Sequence, residues 1–133
     1  MRVADLMQTD VRTVIPETTV AEAIAAFSDS HVSGLPVVDQ HGRLLGVVST
    51  SDVMDVEAEA GAAARRATVA EELLVTDIMT PRPLTCTPET DLREAARQML
   101  YADVKRLFVE RDGELVGVVS QTDIVRAVAN GRL

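Results

Sequence analysis

The stretch Gly46-Val47-Val48-Ser49-Thr50-Ser51-Asp52 is written a second time, as Gly117-Val118-Val119-Ser120-Gln121-Thr122-Asp123. An internal repeat limits a chain to architectures that use one short unit twice. Each copy predicts a buried strand of β-branched residues that stops at a hydroxyl and turns into a helix. A Ser or Thr at such a junction can cap the free amides of the first helical turn. The Asp that follows puts a carboxylate where amides and hydroxyls converge. A strand-to-helix turn of this kind suits an anionic or sugar-bearing ligand.

The two halves match beyond that stretch. Val3-Ala4-Asp5-Leu6-Met7 aligns with Val75-Thr76-Asp77-Ile78-Met79, and Pro16-Glu17-Thr18 with Pro88-Glu89-Thr90. Leu35-Pro36-Val37 aligns with Leu107-Phe108-Val109, and after one deleted residue Gly42 meets Gly113. The repeats therefore cover residues 1–56 and 75–133, joined by an Ala- and Glu-rich connector at 57–74 that reads as helical or partly helical. Units this short bury their apolar faces poorly alone, so the copies are expected to pack on each other.

Each repeat reads as strand, helix, hairpin, helix. In the first, residues 12–15 are extended and end at Pro16. Thr19 and Glu22 have capping-box spacing, with Val20, Ile24 and Phe27 expected on the inner helical face. In the second, Asp91 and Glu94 open the equivalent helix, with Leu92, Ala96 and Met99 inward. Residues 35–38, a turn at Gln40-His41-Gly42 and residues 44–49 form a hairpin, and Thr50 or Ser51 starts the second helix.

Composition excludes several functions. Aromatic residues are 2% of the chain, which leaves no platform for stacking nucleic-acid bases. A net charge of −8 repels a phosphate backbone. Cys86 is the single cysteine, which fits a reducing compartment, and is expected as a small buried hydrophobe. Patterned sequence begins at once after Met1 and no apolar run is long enough to span a bilayer, so a cytoplasmic protein without membrane contact is expected. His31, His41 and Cys86 lack metal-ligand spacing, and both histidines read as surface residues. There is no phosphate loop ending in Lys-Ser or Lys-Thr, and neither Ser49 nor Ser120 sits in a nucleophile elbow.

Two tandem copies of strand, helix, Leu-Pro-Val-Val-Asp, Gly, Leu-Leu-Gly-Val-Val-Ser-x-x-Asp, with Asp-Leu-Met and Asp-Ile-Met lead-ins, resemble a pair of cystathionine-β-synthase (CBS) domains, a Bateman module. The resemblance implies an α+β fold of two CBS repeats packed about a pseudo-two-fold axis, with clefts between them for adenosyl ligands and frequent dimerisation. It implies a stand-alone module, not an enzyme, since no catalytic domain is left over. No cofactor beyond a regulatory ligand is expected.

By the same resemblance, Asp52 and Asp123 would accept hydrogen bonds from both hydroxyls of a ribose, a charge-assisted pairing. Ser49, Ser51, Ser120 and Thr122 would donate to ribose or phosphate oxygens. Thr13, Val14, Val32, Ser33 and Gly34 would surround adenine, with Thr85, Cys86 and Val104 as counterparts. Lys105, the only lysine, and Arg106 occupy the place where the family puts phosphate-binding residues, whereas the first repeat has Ser33-Gly34 there. Residues 1–56 carry a net −5, residues 75–133 a net −1 and the connector −2, so the second repeat tolerates anions better. One dominant site is expected, built on Asp123, Ser120, Lys105 and Arg106 with residues of the first repeat around the base.

The function expected is a regulatory sensor of adenine nucleotides that signals to an unidentified protein through changed repeat or dimer packing. AMP is favoured over ADP and ATP, since further phosphates would meet more acids. S-adenosylmethionine or NAD(H) is a variant, with the sulfonium suited to the acidic first repeat. The alternative of another class is a ligand-free dimerisation scaffold. Hydrolysis by the twin carboxylates is third, because each is engaged in a helix cap.

Overall fold

The computed structural model describes residues 1–60 and 71–131. These form two compact units, residues 12–83 and residues 1–11 with 84–133. Both are mixed α and β, each built on a three-stranded sheet.

In the unit of residues 12–83, helix α1 (Val20–Ser30) precedes a hairpin of β1 (Gly34–Val38) and β2 (Leu44–Ser49), and helix α2 (Thr50–Ala60) follows. The sheet is completed by β3 (Thr80–Pro81), antiparallel to β2 and reached through the short helix α3 (Val75–Ile78). The other unit repeats the plan with β4 (Thr85–Cys86), α4 (Leu92–Ala102), β5 (Arg106–Arg111), β6 (Glu114–Ser120) and α5 (Gln121–Ala129). There β4 runs parallel to β5, and β5 is antiparallel to β6.

The expected order of strand, helix, hairpin and helix is thus present twice. The first strand of the first repeat is reduced to a single parallel bridge, Val14 to Val37. Of the connector, residues 61–70 and with them Arg65-Arg66 lie outside the described residues; α2 runs to Ala60, and Leu74 bridges Thr19.

Local chemistry accounts for these elements. Thr19 Oγ1 accepts from the amide of Glu22 at 3.1 Å while Glu22 Oε1 accepts from the amide of Thr19 at 3.0 Å, the reciprocal pair that starts α1. Asp91 takes the equivalent position before α4 but makes no side-chain cap; Glu94 pairs instead with Arg97. Asp39 Oδ1 accepts from the amides of His41 and Arg43 and closes the first hairpin, with Gly42 at φ 80°. Gly113 at φ 86° does the same service in the second turn, a conformation that costs glycine nothing.

The cores follow the apolar periodicity with two corrections. Val20, Ala23, Ala26 and Phe27 are the buried residues of α1, and Ile24 is exposed. In α4, Leu92, Ala95 and Met99 are buried, and Ala96 is only partly covered. Ala23 and Ala95 take the inward positions, while Ile24 and Ala96, one residue further on, lie on the helix flank.

The lead-ins cross over between the repeats as written in sequence. Val3 is buried in the core with Leu92, Leu107 and Val119, its amide donating to Thr90 O at 2.9 Å, and Gln8 pairs with Val118. The second lead-in does the same in the unit of residues 12–83, where Val75 joins Leu35 and Val48 and its amide donates to Thr18 O at 2.8 Å. Each unit thus takes the sequence preceding the other repeat.

Candidate functional site

Both repeats end their hairpin on the same corner. Ser49 closes β2 opposite Gly34, and the amide of Thr50 donates to Ser33 O at 3.0 Å. Ser120 closes β6 opposite Arg106, the amide of Gln121 donates to Lys105 O at 2.9 Å, and Gln121 Nε2 donates to Val104 O at 3.1 Å. These bonds hold residues 32–34 against 49–50 and residues 104–106 against 120–121. Next in the sheet, Val14 donates to Pro36 O and accepts from Val38, while Thr85 and Cys86 pair with Phe108 and Val109.

Helix capping fixes the carboxylates. Asp52 Oδ2 accepts from the amide of Ser49 at 2.8 Å and from its hydroxyl at 3.0 Å, while the amide of Asp52 donates back to Ser49 Oγ at 3.2 Å. In the second repeat Asp123 Oδ2 accepts from the amide of Ser120 at 3.0 Å, and Ser120 Oγ accepts from the amide of Asp123 at 3.1 Å. The first serine therefore spends its proton on its own aspartate. The Ser120 hydroxyl has no acceptor among the described residues and is available to donate outward.

Asp123 is 8% exposed and, among the described residues, is the buried charged side chain. Burying a carboxylate is costly unless donors surround it. Here the Ser120 amide takes Oδ2, and Arg126 Nη1 stands 3.7 Å from Oδ1. The guanidinium is largely exposed, so its attraction is screened. Oδ1 is left able to accept from a ligand. Asp123 lines a cavity of about 230 Å³ together with Asp5, Leu6, Arg126, Ala127 and Asn130.

The other expected residues divide by what their side chains can reach. Val14 and Cys86 are buried in the cores, which leaves only their backbones for a ligand; burial pushes the Cys86 thiol up to about 11. Val32 and Val104 pack partly against the same cores. Thr13, Ser33, Lys105, Ser51 and Thr122 are exposed, and Gly34, Thr85, Arg106, Ser49 and Asp52 are half-buried. Val32 and Thr50 line a cavity of about 380 Å³ between α1 and α2. A larger cavity of about 630 Å³, lined by Glu94, Arg97, Gln98, Leu100 and Tyr101, contains none of the expected residues. Arg126 escaped the sequence reading. Its signal lies in the register of the repeats, which sets Asp-Val-Met-Asp against Asp-Ile-Val-Arg.

The family model of the CBS domain matches residues 3–59 and again residues 75–130. The chain belongs to the CBS-domain family. Among proteins similar to it is the chloroplastic CBS domain-containing protein CBSX1 of Arabidopsis thaliana, 31% identical over 139 residues, covering 89% of this chain and 59% of the relative. The chain thus spans about three fifths of the length of that relative. A crystal structure of CBSX2 in complex with AMP superimposes with a TM-score of 0.84 at 32% identity, covering 99% of this chain and 98% of the other. The CBS repeats also align with 22% of the length of an inosine-5'-monophosphate dehydrogenase from Korarchaeum cryptofilum, at 38% identity over 116 residues and 86% of this chain. The match to that enzyme is confined to about a fifth of it. Among the described residues no helix is long and apolar enough to cross a membrane, and no cluster of His, Cys, Asp or Glu could hold a metal ion.

Proposed function

We propose that this CBS-domain chain is a cytoplasmic regulatory module that binds an adenine nucleotide, AMP in preference to ADP or ATP, at its Ser-Asp corners. Occupancy is signalled to a partner protein by a change in the packing of the repeats or of two copies of the chain. The observation that carries the reading is the buried Asp123 carboxylate, one oxygen held by the cap, in the wall of a cavity. Two vicinal sugar hydroxyls are matched donors for such a group. Ser120 and Thr122 add hydroxyls, and Lys105 and Arg106, on the strand end opposite Ser120, supply charge for a phosphate. Thr85, Cys86 and Val104 flank adenine there, through backbone in the case of Cys86. Asp52, Ser49, Ser51, Thr13, Val14, Val32, Ser33 and Gly34 form the corresponding corner. The AMP complex of CBSX2, similar over almost the whole chain, supports the choice of ligand.

A second reading, a dimerisation scaffold without ligand, draws on the apolar surface of α4 and α5: Leu100, Tyr101, Val125 and Val128 are all more than half exposed. Thermal unfolding with AMP, ADP, ATP, S-adenosylmethionine and NAD(H) in turn separates the two. A ligand at a hundredfold excess over its dissociation constant stabilises by about 2.7 kcal/mol. The nucleotide reading expects the largest shift with AMP; no shift with any of them at millimolar concentration leaves the scaffold.

A further inference from the structure

With the repeats in register, Asp123 pairs with Asp52, and three residues on, Arg126 pairs with Asp55. Residues three apart on a helix stand side by side. In α5 this brings Arg126 Nη1 to 3.7 Å from Asp123 Oδ1 and onto the wall of the same cavity. In α2 the same position holds a second carboxylate, exposed, and α2 contains no cation.

We infer that this position biases the two corners by charge, Arg126 adding to Lys105 and Arg106 in favour of a phosphate-bearing adenosyl ligand at Asp123, and Asp55 weakening such a ligand at the Asp52 corner relative to an uncharged or cationic one. The inference rests on the adenine-nucleotide reading and deepens it. A phosphate approaching the second corner meets Asp5 and Asp123 on the cavity wall, and Arg126 is the cation among its lining residues. Its side chain is 65% exposed and can turn. Ribose hydroxyls replace it as donors to Oδ1, and the guanidinium then faces a phosphate one sugar's breadth away. That exchange costs little because the largely exposed guanidinium is screened and stands 3.7 Å off, while a guanidinium fork suits phosphate oxygens. At the first corner the phosphate would add a third negative charge to Asp52 and Asp55, and nothing in α2 offsets it.

Calorimetric titration of AMP and of adenosine into the wild type, Arg126→Asp, Arg126→Lys and Asp55→Arg tests this. The readout is the ratio of AMP to adenosine affinity, which a loss of folded protein does not move. Arg126→Asp is expected to lower the ratio by about tenfold or more, Arg126→Lys to retain most of it, and Asp55→Arg to raise AMP binding at the weaker corner. An unchanged ratio in Arg126→Asp, with AMP still bound by the wild type, overturns this inference alone. A wild type that binds neither ligand overturns the nucleotide reading and the inference with it.

Discussion

A Cβ added to Gly117 would fall 2.9 Å from the carbonyl oxygen of Gln8, and one added to Gly46 would fall 2.7 Å from that of Thr80. Each glycine sits mid-strand where a lead-in from the other repeat's flank crosses it, and Met7 or Met79 covers the crossing with its sulfur 2.9 or 2.7 Å from the added carbon. Such distances are tolerable for a flexible thioether but not for a paired backbone.

Gly46→Ala and Gly117→Ala are therefore expected to destabilise by about 1–3 kcal/mol, the range for inserting a carbon into a packed site. Gly34→Ala, where the added carbon meets Val47 at an ordinary 3.7 Å, is the control and is expected to change stability by less than either. Urea unfolding midpoints of the three variants check this. Equal midpoints for all three would show that the lead-ins do not lie against these glycines.

The capping pair of α1 predicts a pH dependence. The amide of Thr19, then its hydroxyl, hold the Glu22 carboxyl below the ordinary carboxylate value, against a smaller opposing effect of burial. The Arg43 amide does the same for Asp39, and for Glu89 its own amide followed by Arg111. A carboxylate with a depressed folded value contributes stability that is present above its unfolded value and is lost as pH falls through the folded one. Stability is expected to fall below the ordinary carboxylate range, and Glu22→Gln to flatten that fall. Unfolding midpoints measured from pH 7 to pH 3 for both proteins give the comparison; parallel curves would remove Glu22 from the account.

Cys86 predicts the reverse of a reactive thiol. Burial raises it to about 11, so at pH 8 little thiolate forms and access is blocked. Alkylation by iodoacetamide is expected to be slow in native protein and to rise to the rate of a free thiol in denaturant. Equal rates in both conditions would place Cys86 on the surface.

Much of this was legible in the sequence because the chain states it twice. The Ser-x-x-Asp corners, the Gly-containing turns and the Thr19–Glu22 box each rest on a local pattern, and local patterns survive folding. The inner faces of α1 and α4 are less legible, since hydrophobicity points to Ile24 whereas Ala23 is the buried residue. The crossing of the lead-ins could not come from similarity, because Asp5-Leu6-Met7 and Asp77-Ile78-Met79 are interchangeable as text. The signal was Gly46 and Gly117 themselves: a glycine within a strand of β-branched residues marks a close backbone approach. Cys86 is held by its core, as a small buried hydrophobe is expected to be, and so is Val14; a strand residue can still offer a ligand its backbone while its side chain faces inward.

The grip of Asp123 on a ribose is tested most directly by calorimetric titration of AMP into the wild type and Asp123→Ala, with circular dichroism to confirm that both are folded. Hydrogen bonds to a charged group contribute about 1.5–3 kcal/mol. The variant is expected to bind AMP at least about tenfold more weakly. Equal dissociation constants for the two proteins would contradict the account.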